Sequence, residues 1–295
     1  MEVEVDENEL KNFGAELLTD GRFGLRIRGW EIEAVKQSIL KSLDLHQWEE
    51  KLQTSHLPEM IFGNSCLSLK HVASGTKIHF NAFDALKGWK LEALPPVEVP
   101  AAAKWKSRSK PFQQVILDYD YTFTTPYSGS EIVETEKARE NISDVRCSLN
   151  WEDCKEKIDM VALSEKEPIL YYNEVVLYED ELADNGISLL TVKVRVMPSG
   201  WFLLLRFWLR VDGVLMRLRD TRIHCIFADC SFPIILREIC WREATFNSLA
   251  AKGYPMDAAA YIDPGTISQR LPTIMHETQK LIFKGNLITI CCFTG

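Results

Sequence analysis

The sequence has no run of about 18 consecutive apolar residues, the length that a helix needs to cross a bilayer. Its richest apolar stretch, residues 201–209, is short and contains Arg206. The N-terminus is acidic and lacks the positive and apolar regions of a signal peptide. We therefore expect no membrane span and predict a cytoplasmic location, with the nucleus as a second location.

Positive charge is also scarce, because 34 Lys and Arg stand against 42 Asp and Glu and give a net charge of −8. A nucleic-acid binder ordinarily carries a basic face, so this balance argues against that class. None of the eight cysteines is paired at the two-residue spacing of a zinc site. The nearest group is His224, Cys225 and Cys230, where we favour reduced, packed thiols over a metal site. We expect no metal and no cofactor.

Sequence patterns of catalysis are missing as well. There is no Gly-x-x-x-x-Gly-Lys phosphate loop, no Gly-x-Gly-x-x-Gly fingerprint and no Gly-x-Ser-x-Gly elbow. His56, His71 and His79 show no metal-ligand spacing, and we interpret each as a surface or packed side chain. Acids at 179–181 and Asp229 could divide acid and base roles only if they converge on a pocket. A binding protein is the favoured prediction and a hydrolase the alternative.

Helix and strand patterns alternate along the first half of the chain. Apolar residues at spacings of three and four predict an amphipathic helix over 31–53. Short alternating segments over 61–80 predict paired strands, and alternating aromatic residues predict a strand over 119–123. Four prolines and a basic cluster over 92–111 predict a long exposed loop. The charged stretch 134–168 predicts a second loop with a short helix near its start.

The segment 172–220 has the most regular pattern. It contains four strand patterns separated by turn signals that each include a glycine: 174–181, 192–196, 201–211 and 214–219. They predict a four-stranded antiparallel meander whose third strand is covered on both faces. Later patterns predict a strand, a short helix and a last helix at 234–241, 243–251 and 267–283. The predicted fold class is α+β, a single domain of antiparallel β-sheets flanked by helices.

Several strings, in order along the chain, resemble motifs of the TIP forty-one-like family, also called TOR signalling pathway regulator-like proteins. They are Leu57-Pro-Glu-Met-Ile-Phe-Gly63, Phe80-Asn-Ala-Phe-Asp-Ala-Leu86, the strings at 118–129, 175–182 and 194–199, the long string 202–222, Ile267-Ser-Gln-Arg-Leu-Pro272 and Lys280-Leu-Ile-Phe283. The resemblance extends over residues 23–283 and fits a plant-like member of the family.

The resemblance implies a protein without catalytic activity that binds the catalytic subunits of type 2A, type 4 and type 6 protein phosphatases, including their C-terminal tail. Such proteins are associated with holding the phosphatase latent or inhibited, and with TOR signalling. An alternative function within the same resemblance is a scaffold that binds the alpha-4-type phosphatase-associated protein. Two departures are a proline-rich 92–111 segment and an apolar ending after Phe283.

Four positions are implicated in phosphatase binding by the resemblance: Asp84, Ile158, Leu218 and Asp220. From the residues alone, Asp84 precedes a possible helix and is a candidate N-cap, while Asp220 ends the return strand and is a candidate for a turn-forming bond. The predicted division of the chain is a flexible acidic N-terminus over 1–20, a TIP forty-one-like domain over 21–283 and a divergent apolar tail over 284–295.

Overall fold

A computed structural model describes residues 7–19, 21–54, 56–87, 97–101, 114–117, 125–133, 150–164, 167–227 and 233–282. In chain order its helices and strands are α1 (Glu7–Asn12), β1 (Ala15–Leu17), β2 (Gly24–Ile27), β3 (Trp30–Val35), α2 (Ser42–Leu52), β4 (Met60–Ile61), β5 (Cys66–His71), β6 (Thr76–Asn81), α3 (Ala82–Lys87), β7 (Val97–Pro100), β8 (Gln114–Leu117), β9 (Ser130–Val133), β10 (Glu152–Asp153), β11 (Tyr171–Asp180), β12 (Gly186–Met197), β13 (Gly200–Val211), β14 (Leu215–Ile226), β15 (Ile234–Thr245), α4 (Phe246–Ala250), α5 (Pro264–Ile267) and β16 (Thr273–Ile282).

Two antiparallel sheets dominate the fold, which confirms the predicted α+β class. The larger has eight strands in the order β10-β16-β15-β14-β13-β12-β11-β4, and the smaller has six in the order β1-β2-β3-β5-β6-β9. Strands β7 and β8 form a separate pair. The predicted meander is confirmed and is longer than the sequence pattern indicated, because β11 to β16 follow one another as six consecutive neighbours.

Tight turns set the register of the meander. Pro198 and Ser199 connect β12 to β13, since Met197 pairs with Gly200. The next turn spans residues 212–214, one residue more than the predicted two-residue hairpin, because Val211 pairs with Leu215. Gly213 has a φ of 74°, a left-handed conformation that glycine adopts at little cost. These turns fix which side chains face each other across β13 and β14.

One apolar core lies between the two large sheets. Every second residue of β13 faces it, and these side chains are 2% exposed or less: Trp201, Leu203, Leu205, Phe207 and Leu209. Trp201 meets Trp30 of the smaller sheet edge to face, with ring centroids 5.1 Å apart. Burial of each such side chain stabilises the fold by roughly 1.5–3 kcal/mol.

The other face of the eight-stranded sheet, which we call the outer face, is covered at two places. At one end, Trp208 and Leu218 pack with side chains of the 246–271 segment, including Phe246 and Tyr261. At the other end, Ile158 and its neighbours in the 150–164 segment pack on Met197, Phe202 and Leu236. Polar side chains cross the sheet between these two apolar clusters.

Two predicted helices are corrected by the structure, one in part and the other in full. The first part of the predicted helix 31–53 belongs to β3, and only Ser42–Leu52 is helical. The predicted helix 267–283 is also wrong, because Thr273–Ile282 forms β16 and pairs with β15. In both cases, hydrogen bonds to a neighbouring strand outweigh the weak helical spacing of the apolar residues.

The predicted loops are corrected in part. Within 92–111, Val97–Pro100 is a strand that pairs with Gln114–Leu117, and Val99 is buried in the core. The described part of 134–168 holds the two-residue strand β10 and a 3₁₀ turn, Ala162–Ser164. The predicted strand 119–123, the short helix near 135, Cys230, Asp229, residues 1–6 of the acidic N-terminus and the tail 284–295 lie outside the described residues. Among the helices that the structure describes, none is long and apolar enough to span a membrane.

Candidate functional site

A buried ion pair lies at the centre of the outer face. Arg206 and Asp220 are direct partners across β13 and β14. Arg206 Nε donates to Asp220 Oδ1 at 2.7 Å, and its second terminal nitrogen donates to Oδ2 at 2.8 Å. The Asp220 side chain is fully buried, whereas that of Arg206 retains 15% of its exposure. Two parallel charge-assisted bonds of this kind fix the plane of the guanidinium.

The charged row continues toward β16, and we call Arg206, Asp220, Arg222, Glu238 and His276 the polar band. Arg222 lies 3.7 Å from Asp220 and 3.9 Å from Glu238, and His276 lies 4.0 Å from Glu238. Glu238 also accepts the backbone N–H of Ile158 at 2.8 Å. The band therefore bonds directly to the 150–164 segment that covers one end of the face.

Burial and partner charge act in opposite directions on Arg206. Burial favours its neutral form, but the hydrogen bonds and charge of Asp220 outweigh burial and raise the pKa of Arg206. The guanidinium therefore stays charged. Since Asp220 has no exposed surface, it can act on a partner only through the arginines that it orients. Its predicted turn-forming role is wrong, because Asp220 lies in the middle of β14.

A cavity of about 340 Å³ opens on the outer face beside the 150–164 segment. Its apolar wall includes Met160, Leu163 and Leu204, and two cations, Lys193 and Arg195, line it as well. Arg195 donates to the Leu163 carbonyl at 2.5 Å. This surface is apolar with positive charge at its margin, so it suits an apolar chain segment that carries a negative group.

Ile158 and Leu218 occupy the two apolar covers on either side of the polar band. Ile158 is 5% exposed and Leu218 is completely buried under the 246–271 segment. The structure thus brings Ile158, Leu218 and Asp220 onto one face of one sheet. None of the three side chains is at the surface, so their predicted contact with a partner requires either rearrangement or action through neighbours.

Asp84 belongs to a different part of the molecule, in helix α3, which directly follows β6 of the six-stranded sheet. It accepts hydrogen bonds from Asn81 Nδ2 and Ser130 Oγ at 2.9 Å each and from Lys87 Nζ at 3.1 Å. Its carboxylate also lies 3.3 Å from His79 Nε2. These donors, His79 foremost, hold the pKa of Asp84 well below its ordinary value. The carboxylate is therefore ionised and partly accessible, with 24% of the side chain exposed.

The predicted N-cap role of Asp84 is wrong by three residues. Asp84 is the third residue of α3, and its backbone N–H donates to Asn81 Oδ1 at 2.8 Å. Asn81 therefore caps the helix, and the Asp84 carboxylate accepts a bond from the side-chain amide of Asn81, in a variant of the capping box.

Of the acidic residues considered for a hydrolase, Glu179 and Glu181 line one cavity, whereas Asp180 is buried and accepts the backbone N–H groups of Glu59 and Leu182. Glu179, Glu181, Asp184 and Asp212 line an open space of about 430 Å³ together with Arg210. No side chain with a hydroxyl, thiol or imidazole is among the described residues that line it. Arg210 donates hydrogen bonds to the Asp212 carboxylate at 2.6 Å and to the Tyr261 carbonyl at 3.0 Å. The arrangement fits a solvated sheet end that ties the 246–271 segment to the hairpin turn.

No cluster of His, Cys, Asp and Glu that could hold a metal ion occurs among the described residues. The residues that sequence reasoning missed are Arg206, Arg222 and Glu238, which appeared only as charges within apolar strands. The predicted two-residue turn at Asp212 and Gly213 could not find the central pair, because it would place Arg206 opposite Arg219. The three-residue turn 212–214 of the structure places Arg206 opposite Asp220 instead.

Comparison with known proteins gives consistent matches. The model of the TIP41-like family matches residues 60–250. A TIP41-like protein of Arabidopsis thaliana is 68% identical over 285 residues, covering 95% of this chain and 98% of the relative. A TIP41-like protein of Homo sapiens is 37% identical over 257 residues, covering 86% and 87%.

A relative in Saccharomyces cerevisiae, named type 2A phosphatase activator TIP41, is 34% identical over 281 residues, covering 88% of this chain and 74% of the relative. The family match contains β4 to α4, and with them the polar band from Arg206 to Glu238. Because that match covers more than half of the chain and the plant relative matches nearly its full length, this chain belongs to the TIP41-like family.

Proposed function

We propose that this chain is a non-catalytic regulator that binds the catalytic subunit of type 2A protein phosphatase, and those of the related types 4 and 6. The name of the Saccharomyces cerevisiae relative supports a type 2A phosphatase as the target. The observation that carries the proposal is the common location of Ile158, Leu218 and Asp220. Asp220 belongs to the polar band, and Ile158 and Leu218, which the family resemblance also implicates, lie in the apolar covers on either side of it.

The chemistry of the outer face suits a short phosphatase segment such as its C-terminal tail. The apolar cavity offers burial for side chains, and Lys193 and Arg195 offer positive charge at its margin. Arg222 adds positive charge in the polar band. Charge complementarity of this kind contributes to association rate and selectivity more than to affinity. Asp220 contributes by holding Arg206 in one orientation, and Ile158 by anchoring the 150–164 segment to the sheet.

A binding assay with a matched control variant tests this assignment. Asp220→Asn removes the charge that orients Arg206 on the outer face. Glu243→Gln is the control, because it removes the charge that faces Arg217 in a comparable ion pair. Arg217 and Glu243 are direct partners across β14 and β15, their hydrogen bond is 2.7 Å long, and the pair lies on the opposite face of the sheet. In capture assays with purified phosphatase catalytic subunit, we expect Asp220→Asn to bind at least about tenfold more weakly, a loss of about 1.4 kcal/mol. Glu243→Gln is expected to bind as wild type.

Two outcomes are informative in different ways. Equal binding of Asp220→Asn and wild type, with both folded, would reject the outer face while leaving the phosphatase as partner. Failure of the wild-type chain to capture any of the three catalytic subunits would reject the proposed function. Capture of the alpha-4-type protein in the absence of the phosphatase would instead support the scaffold alternative.

The direction of regulation is part of the proposal. We propose that the bound phosphatase is held latent, in connection with TOR signalling and in the cytoplasm and nucleus, whereas the yeast relative's name specifies activation. Dephosphorylation of a phosphopeptide by the catalytic subunit, measured with increasing amounts of this chain, gives the sign. We expect the rate to fall. A rising rate would assign activation, and a constant rate at saturating binding would remove regulation from the proposal. Imaging of a fluorescent fusion tests the location.

A further inference from the structure

We propose that Ser164 is a phosphorylation site and that the Arg195 guanidinium, with Lys193, is the built-in receptor for its phosphate. Ser164 ends the 3₁₀ turn Ala162–Ser164, and its side chain is exposed. It lines the same 340 Å³ cavity as Lys193 and Arg195. A modification there is therefore placed beside two cations without any change of fold.

The hydroxyl of Ser164 has only a local role in the unmodified chain. It donates to the Val161 carbonyl at 2.7 Å, a bond within the same turn. Asp159 already caps this turn by accepting the N–H groups of Val161 and Ala162 at 2.9 and 3.0 Å. Loss of the hydroxyl proton on modification thus removes one exposed bond, while the turn keeps its cap.

Arg195 is held next to Ser164 and has unused donor capacity. One terminal nitrogen donates to the carbonyl of Leu163, the residue directly before Ser164, at 2.5 Å. The buried Nε of Arg195 has no hydrogen-bond partner among the described residues. A buried donor without a partner costs about 1–3 kcal/mol, so an acceptor that reaches it would stabilise the structure.

Phosphate oxygens are suitable acceptors for this guanidinium. Phosphoserine brings nearly two negative charges at neutral pH and three acceptor oxygens, and planar guanidinium groups bind such oxygens in pairs. Lys193 adds a second cation, and its present partner, Glu174 at 3.0 Å, forms an exposed ion pair that is readily exchanged. The opposing charges nearby are Asp159 and Glu174, together with Glu167, which accepts the Ser199 N–H at 3.3 Å.

The reaction is an ordinary phosphoryl transfer from ATP by a protein serine kinase. Ser164 Oγ forms a bond to the γ-phosphorus, the bond from that phosphorus to the bridging oxygen breaks, ADP leaves, and the hydroxyl proton passes to the kinase base. Glu165 and Glu167 follow Ser164 in the sequence, so an acid-directed serine kinase fits best. The phosphate would join the 150–164 segment to β12 beside Ile158.

The test uses the full chain with phosphoserine incorporated at position 164, and a matched control with phosphoserine at 248. Ser248 is also exposed and donates to a carbonyl three residues earlier, at 2.8 Å. Titration by phosphorus NMR gives the second pKa of each phosphate, which is about 6 when no cation is near. We expect a pKa about one unit lower at position 164 than at 248, and a return toward 6 in Arg195→Gln.

Two results would overturn the proposal. The first is a phosphate at 164 whose second pKa equals that of the phosphate at 248, both with Lys193 present and in Lys193→Gln, because neither cation would then bind the phosphate. The second is an acid-directed serine kinase that, given ATP and the full wild-type chain, leaves Ser164 unmodified by peptide mass spectrometry. If Arg195→Gln does not fold, Lys193→Gln takes its place, because removal of this second cation is expected to raise the pKa of the phosphate at 164 part of the way toward 6.

Discussion

Replacement of Asp220 by asparagine is the sharpest perturbation of the outer face. The substitution keeps the size of the side chain but removes the charge that faces Arg206 through two bonds of 2.7 and 2.8 Å. Leaving one member of a buried ion pair without its partner costs about 3–5 kcal/mol. Because the Arg206 side chain keeps 15% exposure and can recover some hydration, we expect the lower end of this range, about 3 kcal/mol.

Urea unfolding measures this loss, and two further variants make the comparison strict. Glu33→Gln removes one partner of the surface pair with Arg22, whose side chains are 22% and 41% exposed, and should cost about 1 kcal/mol or less. The double variant Arg206→Met with Asp220→Leu replaces both charges by apolar groups and should regain most of the loss. A cost for Asp220→Asn no larger than that for Glu33→Gln would refute the reasoning.

Two other predictions concern a glycine and a carboxylate. In Gly186→Ala the new Cβ would lie 1.8 Å from the Arg210 carbonyl oxygen, so we expect the free energy of unfolding, measured by heat or urea, to fall by about 3 kcal/mol. In Gly213→Ala only the φ of 74° opposes alanine, and we expect a fall of about 1 kcal/mol. A smaller loss at 186 than at 213 would contradict this geometry. Because folding lowers the pKa of Asp84, its ionised carboxylate stabilises the fold at pH values above the unfolded-state pKa of 3.8. This contribution disappears as the pH falls through the folded-state pKa. Asp84→Asn should therefore reduce stability at pH 7 and flatten the acid dependence of unfolding; an unchanged dependence would show that other groups govern it.

The meander could be predicted from the sequence because its signals are local. Glycine-containing turns and alternating side chains identify β11 to β14. The register of β13 against β14 was not predictable in this way, because the predicted two-residue turn would pair Arg206 with Arg219 rather than with Asp220. Local signals also account for the core positions of β13, where alternate residues are buried. Here the period of the strand agrees with the final fold.

The two misassigned helices show where local reasoning ends. In β3 the alternation of Trp30, Ile32 and Ala34 was present, but apolar spacings of three and four over a longer window favoured a helix. Strand β16 alternates poorly, since residues such as Thr278 and Gln279 are polar on both faces. Its strand conformation depends on pairing with β15, from which α4, α5 and their connecting segments separate it in the sequence.

The candidate site was only partly accessible to prediction for the same reason. Family resemblance indicated Asp220 and Leu218, but the burial of Leu218 depends on the 246–271 segment packing over β14. The bond between Glu238 and the Ile158 N–H joins residues 80 positions apart, and no spacing rule anticipates it. Asp84 was likewise assigned to a helix cap that Asn81 provides, because the start of α3 was displaced by three residues.

Hydrogen exchange of the full chain, alone and with saturating phosphatase catalytic subunit, tests the central claim most directly. We predict slower exchange of backbone amides in the 150–164 segment and in β12 to β14 around Arg206 and Asp220, and unchanged exchange of the amides around the Glu179 cavity. A complex that forms but protects only the six-stranded sheet or that acidic cavity would contradict the assignment of the outer face as the phosphatase-binding surface.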